Sequence, residues 1–229
     1  MSRCIMVLSA LRSGSSCVAG ALHRLGVDMG EGHFQPADKN NQAGYHEDLR
    51  WSAVTKRITG GRYYHDSFMP AEIPEDAAAE YSELARQRRA EHGIWGIKSP
   101  RMALVAHWIW PYLEDCRIVV VHRLREQSIA SLQRHSALGY PAQYSLTKGA
   151  AEEIIDRHLV AVEQRLTEFW GPVLHVSYNA LLEEPVEQIV RLADFCFPGI
   201  GLPTPYCDTI LEVAGWINPE LNHHKEIGV

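Results

Sequence analysis

Residues 3–26 read RCIMVLSALRSGSSCVAGALHRLG, and this stretch decides the predicted fold. The apolar run Cys4–Leu8 has the length of a buried strand and is too short for a helix. A polar turn, Arg12-Ser13-Gly14-Ser15-Ser16, follows it, and apolar residues then recur at helical spacing as far as Gly26, which suits a helix C-terminus. The stretch therefore predicts a strand, a loop of small residues and a helix.

A loop of this kind directs consecutive backbone N–H groups at one point, and the helix dipole adds partial positive charge there. We therefore expect an anion with several oxygens, a phosphate or a sulfate, at this loop. The loop is not a Walker A motif, because Ser15 follows Gly14 where that motif needs lysine, and the nearby cation is Arg12. From this stretch alone, a serine that caps an ordinary helix is an equally good interpretation.

Composition limits the class of protein. The chain has 229 residues, 46% of them hydrophobic, which fits a single globular domain over residues 1–229. Its formal net charge of −6 argues against general affinity for nucleic acid or acidic membranes. Since no apolar run could span a bilayer and no signal peptide is visible, we expect a cytoplasmic protein. The 5 scattered cysteines contain no CxxC pair, so free thiols are expected and a metal site is not.

Strands and helices alternate along the rest of the chain. Further strands are predicted at 94–97, 117–122 and 172–177, and helices at 51–59, 75–92, 101–113, from about 125, at 147–170 and, as the last helix, at 185–196. The run Ile118–Val121 is typical of a strand buried on both faces, as in a parallel sheet. The predicted fold class is therefore α/β, with three layers around a central parallel sheet.

Cationic residues follow three of the predicted strands. They are Arg12, the segment Lys98-Ser99-Pro100-Arg101, and Arg123. Because ligands of open α/β sheets bind beyond the carboxyl ends of the strands, we expect these cations to converge on one polyanionic ligand. Ser131 lies eight residues after Arg123, about two helical turns into the next helix, where its hydroxyl can add a bond to a phosphate held by the guanidinium. Taken singly, an arginine at a strand end and a serine that faces solvent are the more common explanation of such a pair.

These motifs, in this order, resemble the sulfotransferases that use 3′-phosphoadenosine 5′-phosphosulfate (PAPS). Arg12–Ser16 resembles their 5′-phosphosulfate loop in its arginine-containing form, and Arg123 with Ser131 resembles their 3′-phosphate motif. The other similar segments are Gly44-Tyr45-His46-Glu47, Lys98-Ser99-Pro100-Arg101, residues 176–185 and residues 217–224. The resemblance departs at Asn179, where the family often has glutamate, and at Ser15 or Ser16, which replaces the usual threonine.

The resemblance implies a P-loop NTPase-like sulfotransferase fold. It also implies transfer of a sulfuryl group from PAPS to an acceptor hydroxyl or amine, with 3′-phosphoadenosine 5′-phosphate (PAP) as product and no metal. In the implied donor site, the N–H groups from Ser13 to Cys17 and the hydroxyls of Ser15 and Ser16 cradle the 5′-phosphate. Arg12 neutralises the transferring group and the leaving phosphate oxygen, and Arg123 and Ser131 bind the 3′-phosphate.

The resemblance also implies the acceptor side of the site. Glu47 is the expected general base, and Lys98 adds charge near the sulfate or orients the acceptor. His46 is the alternative base, because imidazole titrates nearest neutrality, and His33 is a more distant one. Glu47 also has a purely structural interpretation, in which it pairs with Arg12 or caps the following helix.

Several alternatives stay open from the sequence. The protein can be a P-loop-type kinase or phosphotransferase, or a non-catalytic nucleotide-binding module of the same fold. The acceptor can be a small molecule, a glycan or a lipid, and neither its identity nor the oligomeric state is predicted. Trp108, Trp110 and Trp170 are expected in the core. Aromatic residues that can line an acceptor pocket or simply pack are Tyr63, Tyr64 and Phe68, and His223-His224 is either a surface pair or part of a segment that folds over the nucleotide.

Overall fold

The computed structural model of the protein describes residues 2–38, 41–60, 67–139, 141, 144–199 and 206–221. Within these residues four parallel strands form one sheet in the order β2-β1-β3-β4. The strands are β1 (Arg3–Ser9), β2 (Ile94–Lys98), β3 (Asp115–His122) and β4 (Val173–Ser177). The predicted parallel sheet is confirmed, and each predicted strand is within two residues of its observed bounds.

The described helices are α1 (Ser15–Arg24), α2 (Leu49–Thr59), α3 (Glu75–Glu91), α4 (Met102–Ile109), α5 (Arg125–Gly139), α6 (Lys148–Glu168), α7 (Tyr178–Glu183), α8 (Pro185–Cys196) and α9 (Tyr206–Trp216). Short 3-10 turns follow α4 at Trp110–Tyr112 and α9 at Pro219–Leu221. Helices α1, α7, α8 and α9 pack on one face of the sheet. Helices α2, α3, α4 and α6 pack on the other, so the predicted three-layer α/β/α class is confirmed.

The alternation of side chains along β1 builds these two cores. Ile5 and Val7 lie in the core under α1, whereas Cys4, Met6 and Leu8 lie in the core under α4. All five are at most 1% exposed, as expected for a central strand of a parallel sheet. The sheet is therefore a rigid base for the loops at its carboxyl end.

Two predictions, on the last helix and on Trp170, were wrong. Helix α9 follows the helix expected to be the last; its sequence has weak helix formers, and it is held by the burial of Ile210, Val213 and Ala214. Trp170 is 90% exposed rather than in the core, because α6 ends at Glu168. Helix α3, predicted at 75–92, has a buried side on which Arg88 is bound to Asp28.

The strand order creates a site for a ligand. β1 and β3 are the two central strands. The connection that follows β1 leads to β2 at one edge of the sheet, and the connection that follows β3 leads to β4 at the other edge, so the pair β1 and β3 forms the topological switch point. In open α/β sheets a crevice forms beyond the carboxyl ends of such a pair. The loop after β1 and Arg123 after β3 both lie at this crevice. In the part of the chain that the structure describes, none of the helices has the length and apolarity needed to span a membrane.

Candidate active site

A cavity of about 400 Å³ lies at the carboxyl ends of β1, β2 and β3. It brings together most of the side chains that the sequence singled out. Those that line it are Arg12, Gly14, Ser15, Ser16, Cys17, Glu47, Lys98, Arg123 and Ser131. The described candidates that do not line it include Ser13 and Arg101, which are both buried, and His33 and His46.

The loop after β1 has an unusual backbone. Arg12 and Gly14 both adopt left-handed conformations, with φ of 61° and 86°. A Cβ on Gly14 would lie 2.1 Å from Cδ2 of Tyr178, so the Tyr178 ring fills the space where any other side chain would go. Both conditions require glycine at this position, which explains the single glycine of the motif.

Hydrogen bonds divide the loop from the helix. The N–H groups of Cys17 and Val18 donate to the carbonyl oxygen of Gly14, at 3.0 and 3.3 Å, and begin α1. The four preceding amides, from Ser13 to Ser16, donate to none of the described backbone carbonyls. They are the loop amides available to an anion, whereas the Cys17 amide is used inside the helix. Burial raises the pKa of the Cys17 thiol to about 12, so this thiol stays protonated.

Two arginines and a serine connect β1 to β3. Arg12 Nε donates to Ser131 Oγ at 3.2 Å, and Arg123 Nη1 donates to the carbonyl oxygen of Arg12 at 3.1 Å. The Arg123 guanidinium also lies 4.9 Å from the centre of the Tyr178 ring, the ring that packs on Gly14. Residues 111 apart in the chain therefore meet at one loop. Burial lowers the pKa of Arg123, with the Arg12 charge contributing, and an anion placed here would relieve that repulsion.

A buried ion pair joins β2 to the segment before α2. Lys98 Nζ donates to a Glu47 carboxylate oxygen, to Ser16 Oγ at 3.0 Å and to the Tyr45 carbonyl oxygen at 3.4 Å. Both charged side chains are 4% exposed. The helix cap is the neighbouring Asp48, which accepts from the Arg50 amide at 2.9 Å. Glu47 therefore takes neither structural role considered from the sequence, and it instead faces the cavity beside an ammonium group.

His46 lies in an aromatic cluster behind the cavity wall. Its ring centre is 6.1 Å from that of Trp216 and 5.4 Å from that of Phe34, and both contacts are edge-on. Burial, followed by the charges of His23, Arg24 and Lys98, lowers the pKa of His46 to about 4. This packing places His46 outside the cavity lining, whereas Glu47 lines the cavity. His33 is exposed and does not line the cavity either.

The sequence did not single out several cavity residues. Besides the predicted Ser131, helix α5 presents Arg134, His135 and Leu138 to the cavity, and this spacing marks one helical face that periodicity could have revealed. Tyr45 and Tyr178 lay inside segments used for the resemblance but had no role assigned. Trp216 comes from the end of α9, which was not predicted, and Asn218 lies in the segment 217–224, which was used for the resemblance without a role for Asn218.

Trp216 packs on α1, and this contact can be tested through Gly20. A Cβ on Gly20 would lie 2.4 Å from Trp216 Cη2 and 2.9 Å from His46 Cε1. Gly20→Ala is therefore expected to destabilise the protein by about 1–3 kcal/mol, because a rigid indole must move. Urea unfolding measures this change. The matched control is Gly149→Ala in α6, where the added methyl meets no described atom within 4 Å and should stabilise by up to about 1 kcal/mol. Equal effects would show that Trp216 moves freely.

Of the three aromatic candidates for an acceptor pocket, only Phe68 lies in the described part of the chain. Phe68 is 52% exposed, lies beside Gly60 and is not among the lining residues. Tyr63, Tyr64, His223 and His224 lie outside the described residues, so their predicted roles stay predictions.

The fold and the cavity together define a class of protein. It is an α/β protein with a P-loop-like loop after its first strand and cations from three strands around one crevice. A family model described as "Sulfotransferase family" matches residues 4–203. The chain therefore belongs to the sulfotransferase family, as its motifs indicated. Family membership supports sulfuryl transfer as the activity. A search of curated proteins found no match.

Solved structures with a similar fold include three sulfotransferases. The sulfotransferase domain of the Synechococcus PCC 7002 olefin synthase has a TM-score of 0.50 at 17% identity, over 100% of this chain and 81% of that chain. Sulfotransferase STF1 from Mycobacterium tuberculosis H37Rv has a TM-score of 0.54 at 15% identity, and the match covers 94% of this chain and 71% of that chain. Sulfotransferase STF9 from Mycobacterium avium has a TM-score of 0.52 at 16% identity, and the match covers 98% of this chain and 69% of that chain. At these identities the likeness shows the shared sulfotransferase fold.

Proposed function

We propose that the protein transfers a sulfuryl group from PAPS to a hydroxyl or amine of an acceptor and releases PAP. The observation that carries the proposal is the meeting of Arg12, Arg123 and Ser131 at the Gly14 loop. A nucleotide with anionic groups at both ends of its ribose needs two sets of donors at one cavity, and these residues supply them.

The groups present fit the 5′ end of the donor. The amides from Ser13 to Ser16 and the Ser15 and Ser16 hydroxyls supply hydrogen-bond donors for a phosphate at the N-terminus of α1. Arg12 and Lys98, which line the same cavity, supply positive charge near these groups. Charge fixed in advance where negative charge develops is the main way a protein accelerates such transfers. The cationic side chains supply the counter-charge in this proposal, and the absence of a catalytic metal stays a prediction.

The 3′ end of the donor is assigned to Arg123 and Ser131. A phosphate monoester carries about −1.5 to −2 charge at neutral pH, and a guanidinium binds it through two parallel hydrogen bonds. The Arg123 side chain is held against Tyr178 and the Arg12 carbonyl oxygen, so it is oriented before a ligand arrives. This phosphate distinguishes PAPS from ADP and ATP, and the assignment therefore predicts selectivity for 3′-phosphorylated nucleotides.

The acceptor is activated by Glu47 in this proposal. As the acceptor oxygen forms its bond to sulfur, the bond between sulfur and the 5′-phosphate oxygen breaks and its electron pair stays on the phosphate. The acceptor proton passes to the Glu47 carboxylate, which pairs with the Lys98 side chain in the cavity. Lys98 also contacts Ser16, so the base and the phosphate loop are held at a fixed separation. The acceptor itself, whether small molecule, glycan or lipid, is not named by these groups.

Thermal unfolding with PAP, ADP or ATP–Mg²⁺ tests the donor. Because a ligand bound only by the folded state adds about 2.7 kcal/mol at 100 times its Kd, PAP is expected to raise Tm strongly and ADP much less. Arg123→Ala should remove the preference for PAP. The control is Arg125→Ala, which breaks a pair with Asp156 away from the cavity and should keep the preference.

Two outcomes would favour the other functions. Stabilisation by ATP–Mg²⁺ rather than PAP would point to a kinase or phosphotransferase. PAP binding without transfer of labelled sulfate to any acceptor in a broad screen would point to a non-catalytic nucleotide-binding module.

A further inference from the structure

Two histidines lie side by side at the β4 edge of the sheet, and neither lines the cavity. His122 is the last residue of β3, and His175 is the middle residue of β4. The strands pair in parallel, with His175 beside Val120 and His122 beside Ser177. Because side chains two residues apart on a strand point to the same face, both imidazoles project from one face of the sheet.

The two imidazoles meet through their ring nitrogens. Nε2 of His122 lies 2.7 Å from Nδ1 of His175, the ring centres are 5.0 Å apart, and the ring planes are inclined by 17°. This separation is that of a hydrogen bond, so one nitrogen donates and the other accepts through an unprotonated lone pair. The two nitrogens therefore point at one small volume, which a single hydrogen occupies.

The backbone beneath the pair is fixed, whereas the side chains are free to turn. Both histidines are exposed. Their strand neighbours Val121 and Val176 point to the opposite face and are 2% and 0% exposed in the core under α1. The His175 carbonyl oxygen also accepts from Arg191 Nη2 at 3.1 Å. The sheet thus holds the two rings at a set spacing, and small rotations can still adjust their nitrogens.

This arrangement suits a transition-metal ion. Imidazole is the commonest protein ligand for such ions. Zn²⁺ binds imidazole nitrogens at about 2.0–2.1 Å, so two nitrogens on a tetrahedral ion are about 3.3 Å apart. The nitrogens of the pair, now 2.7 Å apart, need to separate by only about 0.6 Å. The hydrogen of the donating ring moves to the other nitrogen of that ring, so both imidazoles stay neutral when the ion takes its place.

The arginines that follow His122 in the chain make contacts of their own. Arg123 donates to the Arg12 carbonyl oxygen in the donor loop at 3.1 Å. Arg125 pairs with the Asp156 carboxylate at 2.6 Å, which offsets its charge. In the part of the chain that the structure describes, no group of three or more histidine, cysteine or acidic ligands is present. Water therefore completes the coordination of an ion held by the pair, and binding is expected to be reversible.

We propose that His122 and His175 form a binding site for a divalent transition-metal ion of the zinc class, with the two imidazoles as its protein ligands. The site is separate from the cavity and does not depend on the proposed function. An ion held there would join the end of β3 to β4, directly before Arg123. The two histidines are 53 residues apart in the chain, so their spacing in the sequence gave no sign of the site.

Calorimetry of the protein without an affinity tag, titrated with Zn²⁺ alone, tests the proposal. A pH of about 7.5 keeps ordinary imidazoles neutral, since their pKa is about 6.5. His122→Gln and His175→Gln should each weaken Zn²⁺ binding by about tenfold or more, because glutamine keeps a polar side chain without an imidazole nitrogen. His33→Ala removes another exposed histidine and should leave this binding unchanged. Mg²⁺, which prefers oxygen ligands, should not compete.

Nuclear magnetic resonance gives a second measurement that needs the variants only for assignment. Zn²⁺ should shift the imidazole Hε1 resonances of His122 and His175 in the wild-type protein at lower concentration than those of other histidines. Resonances of this pair that do not move would overturn the proposal, as would unchanged Zn²⁺ affinity in either glutamine variant. An equal loss in His33→Ala would also overturn it, because binding would then be spread over surface histidines. None of these measurements uses PAP, so they leave the proposed function untouched.

Discussion

Glu47→Gln is expected to lower the rate of sulfate transfer by about 10²–10⁴-fold while PAP affinity stays within a few-fold of wild type. Glutamine keeps the size of the side chain but cannot accept the acceptor proton. The donor contacts assigned to Arg12, Arg123 and Ser131 do not involve Glu47. Transfer of labelled sulfate measures the rate, and calorimetry measures PAP binding.

The stability of this variant needs its own control. Removing one charge of a buried pair leaves the other unpaired, here the Lys98 ammonium, and such changes cost about 3–5 kcal/mol. Asp48→Asn is the matched variant, because Asp48 is an equally buried neighbouring carboxylate that pairs with Arg50 and caps α2. It should lower stability and keep turnover per folded molecule. If Glu47→Gln also keeps turnover per folded molecule, Glu47 is only the partner of Lys98.

Gly14→Ala is expected to destabilise the donor loop by about 2–5 kcal/mol and to abolish most PAP binding. The left-handed backbone costs about 1–2 kcal/mol for a residue with a Cβ, and overpacking against the Tyr178 ring adds about 1–3 kcal/mol. The added Cβ would lie 2.1 Å from that ring, so the ring or the loop must move. Denaturant unfolding and PAP calorimetry measure the two effects.

Gly32→Ala isolates the contribution of the Tyr178 contact. Gly32 has φ of 88°, close to the 86° of Gly14, but a Cβ there meets no described atom within 4 Å. This control should show only the backbone cost and normal PAP affinity. Equal losses of stability and normal PAP affinity in both variants would contradict the proposed role of the Gly14 loop.

Local sequence patterns predicted the elements that carry the site. An apolar run, a glycine-containing loop and a helical repeat were enough to place β1, the loop and α1, because each pattern is formed by neighbours in the chain. The position of Arg123 and Ser131 followed in the same way from a buried strand and the helix after it. Parallel strands present their carboxyl ends at one edge, and this rule alone predicted that Arg12, Lys98 and Arg123 would meet.

Such local patterns could not predict the contacts that shape the cavity, because these contacts join residues that are distant in the chain. Lys98 and Glu47 are 51 residues apart, and only the packing of β2 beside β1 decides that they pair. The Tyr178 ring reaches Gly14 from α7, directly after the edge strand of the sheet. Helix α9, which supplies Trp216, is held by burial rather than by its own helix propensity, so local sequence carried little sign of it.

The position of Tyr178 has a consequence for ligand size. Its ring packs on the turn at Gly14, and the Arg123 guanidinium lies 4.9 Å from the ring centre, so one phenol is in contact with both groups. A side chain that directly follows the edge strand thereby acts as a spacer between the two groups to which the proposed function assigns the phosphates. If that assignment is correct, a wider or narrower ring at this position would alter which bisphosphates fit.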